Sequence, residues 1–291
     1  MVSGAPRSAF QQIRTLLEQA NIEDAAFDAG CLMELVVGQN WRWNDTPLTE
    51  EQCSRLDELA KRRAEHYPLQ YLAGSWSFLD FTLEVGPGVL IPRADTEVLC
   101  EVGAQVMQGI KAPVVLDLCA GSGCVGLGIK RLIPGAQVTC LEKSPDAFAY
   151  LQKNVIKALP GASIKNPAAK AVSGDVFTYQ QQLENASLDL IVSNPPYIAG
   201  QEMKTLAPEL SFEPNMALEA EEEGLAFYRH IAPAYYDALR PGGWLAVEIG
   251  FQQGQAVSHV FADAGYKNIA VRQDYGENDR VVYGKKPEND I

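Results

Sequence analysis

Val114-Val115-Leu116-Asp117-Leu118-Cys119-Ala120-Gly121-Ser122-Gly123-Cys124-Val125-Gly126 runs from an apolar, β-branched stretch straight into glycines. The first five residues read as a strand buried on both faces, and the glycines as a tight turn that opens a helix near Val125–Leu132. Downstream the rhythm repeats. Val138–Glu142, Ala171–Asp175, Leu188–Ser193 and Trp244–Gly250 read as strands, with helical stretches at Pro145–Leu159 and Gly224–Leu239. Apolar strands separated by helices imply a parallel sheet covered on both sides. The end differs, because Asn268–Asp274 and Arg280–Lys285 are joined by only Tyr275-Gly276-Glu277-Asn278. A turn that short cannot make a parallel crossover, so these two should be antiparallel. The expected fold is α/β, a Rossmann-like, mostly parallel seven-stranded sheet with an antiparallel last strand. The tail from Lys286 onward is expected to fray.

Upstream the pattern is helical. Phe10, Ile13, Leu16, Leu17 and Ala20 fall at helical spacing behind a candidate cap at Ser8. A second helix is expected over Asp24–Val37, stopped by Gly38, and a third from Thr49, with Gln52 completing a capping box. Between Trp76 and Ile91 a hairpin is expected, turning at Gly86-Pro87-Gly88. The expected division is therefore a small helical N-terminal domain over residues 1–75, a hairpin linker over 76–92 and the α/β domain over 93–291.

The chain has 24 Lys+Arg against 37 Asp+Glu, a formal net charge of −13. Both parts are acidic: residues 1–75 carry 7 basic and 11 acidic side chains, and 76–291 carry 17 and 26. Phosphate neutralisation dominates nucleic-acid affinity, so this balance argues against direct nucleic-acid binding. No run reaches the ~18 apolar residues of a membrane span, and the first residues lack a signal-peptide layout. A cytoplasmic, membrane-free monomer is expected. Six cysteines contain no Cys-x-x-Cys pair, and only three histidines exist, so no metal is expected.

Gly121, Gly123 and Gly126 also fit the Gly-x-Gly-x-x-Gly of dinucleotide sites, with Glu142 ending the next strand as a ribose acceptor. Asp117 shifts the reading. A carboxylate there can face the ammonium of S-adenosylmethionine, whereas in a dinucleotide site it would repel the pyrophosphate. After the third strand, Asp175 or the neighbouring amide could read an adenine edge, with Val176 adding apolar contact.

Asn194-Pro195-Pro196-Tyr197 follows the buried strand Leu188–Ser193. An amide or ring NH2 is a poor nucleophile because its lone pair is delocalised. The Asn194 side-chain oxygen and the Pro195 carbonyl can each accept one of its N–H groups, aiming the nitrogen at an electrophilic methyl. The prolines stiffen the loop, and Tyr197 can stack on the planar group. Catalysis of this kind rests on positioning and electrostatics.

The sequence resembles the N5-glutamine methyltransferases of peptide-chain release factors. The likeness spans about Pro68 to Gly284. It rests on Pro68-Leu-Gln-Tyr-Leu-Ala-Gly74, Val89-Leu-Ile-Pro-Arg-Ala-Asp-Thr-Glu97, Val192-Ser-Asn-Pro-Pro-Tyr-Ile198, Phe212-Glu-Pro214, Glu248-Ile-Gly250 and Asp274-Tyr-Gly-Glu-Asn-Asp-Arg280. The resemblance implies a class I S-adenosylmethionine-dependent fold and methylation of the glutamine in a Gly-Gly-Gln loop. It also implies a helical N-terminal domain that docks the release factor. Cys119, Ala120, Gly121, Ser122, Gly123, Glu142, Val176 and Asn194 would contact the cofactor, and residues 194–197 would hold the glutamine. Glu142 stands where Asp is usual, Cys119-Ala120 where Gly-Thr is common, and Ala94 where a second Pro is frequent. The alternatives are a glutamine methyltransferase of a ribosomal protein and a nucleic-acid amino-methyltransferase. Roles for Arg93, Glu97 and Glu213 stay open between cleft and surface. Glu213 could orient the 194–197 loop, and Glu219, Glu221, Glu222 and Glu223 read as a solvated helix start.

Overall fold

The computed structural model describes residues 2–288. They fall into two units: Met1–Ser75 with Ala207–Phe212, and Trp76–Leu206 with Glu213–Ile291.

The first unit is built from helices whose apolar positions recur at i, i+4 and i+8. Helix α1, Pro6–Gln19, buries Ala9, Ile13 and Leu17 completely. It begins at Pro6 rather than behind Ser8, whose hydroxyl instead accepts from Gln12 one turn on. Proline suits the first turn because its missing N–H would have no partner there. Helix α2, Ala25–Val37, ends against Gly38. Helix α3, Glu50–Ala64, starts with the expected capping box of Thr49 and Gln52, and α4 is the short Leu69–Ala73. Trp41 is core, stacked on Phe10 at 5.0 Å, but Trp43 is 82% exposed. One buried ion pair crosses the unit: Arg63 Nε donates to Asp28 Oδ2 at 2.6 Å. The segment 207–212 completes it, with Glu209 accepting from Arg63 Nη2 at 3.1 Å and Phe212 set edge-on to Tyr67 at 5.2 Å.

The second unit opens with a hairpin, β1 (Ser75–Phe78) and β2 (Phe81–Glu84). Its turn lies at Leu79-Asp80, with Leu79 in the left-handed region, so the glycines at 86 and 88 do not make it. The expected return strand Val89–Ile91 is a loop that begins in a turn, with Val89 N–H donating to the Gly86 carbonyl and the Ile91 N–H donating to Glu213 Oε2 at 2.9 Å. Then follow α5 (Glu97–Val106), β3 (Val114–Leu118), α6 (Cys124–Leu132), β4 (Gln137–Glu142), α7 (Pro145–Lys157), β5 (Lys170–Ser173) and β6 (Leu188–Ser193). The two-residue strands β7 (Ile198–Ala199) and β8 (Glu219–Ala220) pair with each other, in parallel. The chain ends with α8 (Glu221–Gly224), α9 (Ala226–Ala234), β9 (Leu239–Glu248), α10 (Gly254–Asp263), β10 (Lys267–Gln273) and β11 (Asp279–Lys285).

The main sheet has seven strands in the order β10-β11-β9-β6-β3-β4-β5. All neighbours are parallel except around β11, which runs against both β9 and β10. Side chains alternate between two cores. Val115, Val138 and Leu190 meet Leu99, Leu127 and Leu151 on one face, while Leu116, Ile191 and Val247 meet Tyr228, Tyr235 and Phe261 on the other.

Two elements depart from expectation. The helix expected over 224–239 runs only from Ala226 to Ala234, and ahead of it Glu222 and Glu223 adopt left-handed backbone (φ 55° and 58°). Hence these glutamates are not a regular helix start. Strand β9 begins at Leu239, and its register against β6 breaks between Leu188 and Leu190, around Pro241-Gly242-Gly243. At the far end Lys286 is not frayed: its Nζ donates to the Tyr236 and Leu239 carbonyls. The remaining expected tail, 289–291, lies outside the described residues.

Candidate active site

Strands β3, β4, β5 and β6 run in parallel, so their C-terminal ends open on one edge of the sheet, where α/β folds hold ligands. Leu118 pairs with Ser193, which brings the turn after β3 beside Asn194. A cavity of about 280 Å³ opens at this edge. Residues 119–122, Glu142, Asp175, Val176, Asn194 and Pro196 line it, whereas Asp117, Gly123, Pro195 and Tyr197 do not.

The turn after β3 needs unusual backbone. Cys119, Gly121 and Gly123 all have positive φ. Gly123 sits at φ 86°, and a Cβ there would lie 2.7 Å from Leu151 Cδ1, so any other residue is strained. Burial pushes the Cys119 thiol up, away from its thiolate form.

Asp117 lies under the turn, fully buried, and its Oδ2 accepts the Gly126 N–H at 2.8 Å. Its Oδ1 has no partner within the protein. Burial raises its pKa to about 7, against the pull of the Gly126 amide. Glu142 ends β4 with both oxygens engaged, Oε2 by Gly121 N–H at 2.8 Å and Oε1 by Ser144 N–H at 2.7 Å. Two amides that could bind a pyrophosphate at this helix start are thus taken by carboxylates. A ligand carrying a cation and hydroxyl groups fits this donor set better than a phosphate does. Further along, Asp175 Oδ1 accepts the Phe177 N–H and Oδ2 pairs with Lys143 at 2.9 Å. Burial works the other way, but these partners hold its carboxyl below the usual range. The rings of Phe177 and Phe227, 5.1 Å apart, add a flat apolar wall.

Asn194 leaves β6 at the cavity. Its Nδ2 donates one hydrogen to Thr96 Oγ1 at 3.3 Å, which sets the amide with its nitrogen toward Thr96 and Oδ1 as its acceptor. Tyr197 turns away: its hydroxyl donates to Glu248 Oε1 at 3.2 Å, and its carbonyl accepts from Gln253 Nε2 at 3.0 Å. Burial pushes the Tyr197 phenol up, so it stays protonated.

Two acids of open role are structural ties. Glu213, 4% exposed, holds Ile91 N–H and the Arg93 guanidinium, fixing the Ile91-Pro92-Arg93 segment rather than the 194–197 loop. Arg93 itself reaches the cavity wall. Glu97 accepts the Leu79 N–H at 2.7 Å and anchors the hairpin turn. Glu248 and Thr96 carry no role in the sequence reading. The available signal was a glutamate closing the otherwise apolar run Trp244-Leu245-Ala246-Val247. Among the described residues no group of three or more His, Cys, Asp or Glu could hold a metal, and no helix is long and apolar enough to cross a membrane.

Residues 8–74 match a family profile described as the PrmC N-terminal domain, and residues 96–221 one described as the methyltransferase small domain. A release factor glutamine methyltransferase of Geobacter sulfurreducens is 36% identical over 284 residues, covering 96% of each chain. Its counterpart from Escherichia coli is 36% identical over 263 residues, covering 89% of this chain and 91% of its own. Among solved structures, a methyltransferase from Pyrococcus furiosus superposes with a TM-score of 0.54 at 17% identity, over 78% of this chain and 99% of its own. That likeness speaks to the fold alone.

Proposed function

The chain belongs to the release factor glutamine methyltransferase family, and from that membership we propose that it methylates the side-chain amide nitrogen (N5) of a release-factor glutamine, the one in the Gly-Gly-Gln motif. S-adenosylmethionine supplies the electrophilic methyl. Glu142, the backbone of residues 119–122 and the wall formed by Asp175, Val176 and Phe177 would hold it.

The observation that carries the reading is the orientation of Asn194. With one Nδ2 hydrogen given to Thr96, Oδ1 is the acceptor that Asn194 has to offer at the cavity it lines. An acceptor there suits a substrate NH2. The Pro195 carbonyl, next in the chain though Pro195 is not on the cavity wall, is the second acceptor we assign. Together they would hold two N–H groups and direct the nitrogen lone pair outward. No base is needed before transfer, because the methylated amide cation is strongly acidic. Tyr197, Pro195 and Pro196 stiffen the loop that presents these acceptors.

The finer assignments follow the same reading. Residues 1–75 serve as a docking domain for the release factor, 76–92 as the link to it, and 93–291 carry out the chemistry. The enzyme works as a cytoplasmic monomer, without direct contact to nucleic acid; its charge of −13 supports that. The test incubates the protein with labelled S-adenosylmethionine and, separately, release factor, ribosomal proteins and RNA. Label should enter the release factor at its glutamine, and a Gln→Glu release factor should take up none. Faster labelling of a ribosomal protein or RNA would overturn the assignment.

A further inference from the structure

Glu248 closes β9 in the middle of the sheet, 2% exposed, one strand away from Asn194. Its Oε1 accepts from the Tyr197 hydroxyl, while Oε2 is buried without a well-formed hydrogen bond. The hydroxyl of Thr96, itself 1% exposed, lies beside this carboxylate and favours its ionised form. The same hydroxyl oxygen receives Asn194 Nδ2.

We propose that Glu248 is a positioning residue, acting through Thr96 to decide which end of the Asn194 amide faces the cavity. A count of hydrogens gives the reason. A hydroxyl has a single hydrogen. When Thr96 gives it to the Glu248 carboxylate, only lone pairs remain for Asn194, so Asn194 must present its NH2 to Thr96 and its oxygen to the substrate. A protonated Glu248 can donate to Thr96 instead. The Thr96 hydrogen then turns to Asn194, whose amide flips and offers an NH2 to the substrate NH2. Two donors face each other, and the acceptor is lost.

The surroundings make this switch accessible near neutrality. Burial pushes Glu248 up to about 7, opposed by Thr96, the Arg280 guanidinium and Tyr197. Arg280 is shared with Asp274 at 2.9 Å and Asp95 at 3.4 Å, so its field is partly spent. The other titratable groups around Glu248 are Tyr228, whose hydroxyl donates to the Glu248 carbonyl, and the buried thiols of Cys100 and Cys124. Burial raises Tyr228 and both thiols, which keeps them neutral.

The kinetic part rests on the proposed reaction, so the test has two arms. In the first, full-length wild type, Glu248→Gln, Thr96→Val and Thr96→Ser methylate a release factor between pH 6 and 9. Wild-type kcat should fall below about pH 7. Glu248→Gln and Thr96→Val should lose about tenfold in kcat, the scale of one hydrogen bond. They should also lose that pH limb, with KM for S-adenosylmethionine within about twofold of wild type. Thr96→Ser should keep most of the activity. The second arm needs no turnover. The side-chain NH2 resonances of isotope-labelled Asn194 should titrate with a midpoint near 7 in wild type and stay flat in Glu248→Gln. A Glu248→Gln protein with wild-type melting temperature, cofactor binding, kcat and pH profile would overturn the inference, as would an Asn194 amide that ignores pH in wild type. No release-factor methylation by wild type, alongside a titrating Asn194, would sink the reaction and leave the positioning role standing.

Discussion

Truncating Asn194 to Ala removes the Oδ1 acceptor yet leaves the loop in place, because Gln253 still holds the Tyr197 carbonyl. The missing acceptor matters most as the substrate nitrogen becomes tetrahedral, so the loss belongs in kcat. By analogy with deleting one oxyanion-hole donor, kcat should drop ~10²–10³-fold with cofactor affinity unchanged; steady-state kinetics plus calorimetry will check both. Glu142→Ala should behave in the opposite way. It strips a ribose acceptor and also orphans the Gly121 and Ser144 amides. Cofactor binding should weaken by about 1.5–3 kcal/mol, read as the shift in Kd by calorimetry. Much of this site was legible from residue types: 119–122, Glu142, Asp175, Val176, Asn194 and Pro196 do meet at one cavity. Asp117 shows the limit. Its position before the glycines is plain in the sequence, but the amide of Gly126 that claims it is a product of the turn's geometry.

At the scale of elements, apolar periodicity found every strand of the main sheet but misjudged boundaries wherever a side chain replaced a ladder hydrogen bond. Val89–Ile91 has the composition of a strand, and Glu213, 122 residues distant, occupies its amide. No local pattern reveals that. The irregular start of β9 is similar: Asp189 accepts from both Val114 N–H and Arg240 Nη1, tying the strand edge across 75 and 51 residues. Glu222 and Glu223 carry helix propensity and even helix-dipole logic, but the chain must turn sharply before Gly224. A Cβ on Gly224 would press on Gln253 Nε2 at 2.6 Å. Left-handed backbone costs an ordinary residue ~1–2 kcal/mol, which glycine avoids. Glu223→Gly should therefore stabilise the fold by up to about 1 kcal/mol in urea unfolding, after the entropy that glycine loses; a lower midpoint would mean the turn is not strained.

For the whole molecule, three buried carboxyls with raised values, Asp28, Asp117 and Glu248, set an unusual pH response. Asp117 and Glu248 both rise to about 7, from 3.8 and 4.5. Between about pH 4 and 7 the folded chain keeps protons that the unfolded chain has released, so their stabilising contribution declines as pH rises and levels off above 7. Asp175 and Asp274, with depressed values, act oppositely, and their contribution is lost only as pH falls below the ordinary 3.8. The melting temperature should peak near about pH 4 and decline toward 7, and Asp117→Asn should flatten that decline. A rising curve from pH 5 to 8 contradicts the scheme. Deleting residues 1–75 should leave cofactor binding nearly intact and sharply reduce methylation of an intact release factor. The shortened enzyme should become about equally poor toward a Gly-Gly-Gln peptide. The cut also strips 207–212 of its partners Arg63 and Tyr67, so a Phe212→Ser version serves as the solubility control. Methylation of the intact factor at full speed by the shortened chain would dismiss the docking role.

The split membership of the helical unit also has a bearing on how the chain is born. Arg63 meets Asp28 soon after both are made, but Glu209 is 146 residues further along. At ~5–20 residues per second, a nascent chain waits roughly 7–30 s for it. During that interval the helices have left the ribosome with Arg63 held by Asp28 but not yet by Glu209, and with Tyr67 beside Tyr71 but not yet Phe212. The earliest part of the protein to emerge is thus sealed only after the sheet's central strands and the Asn194–Tyr197 loop have been synthesised.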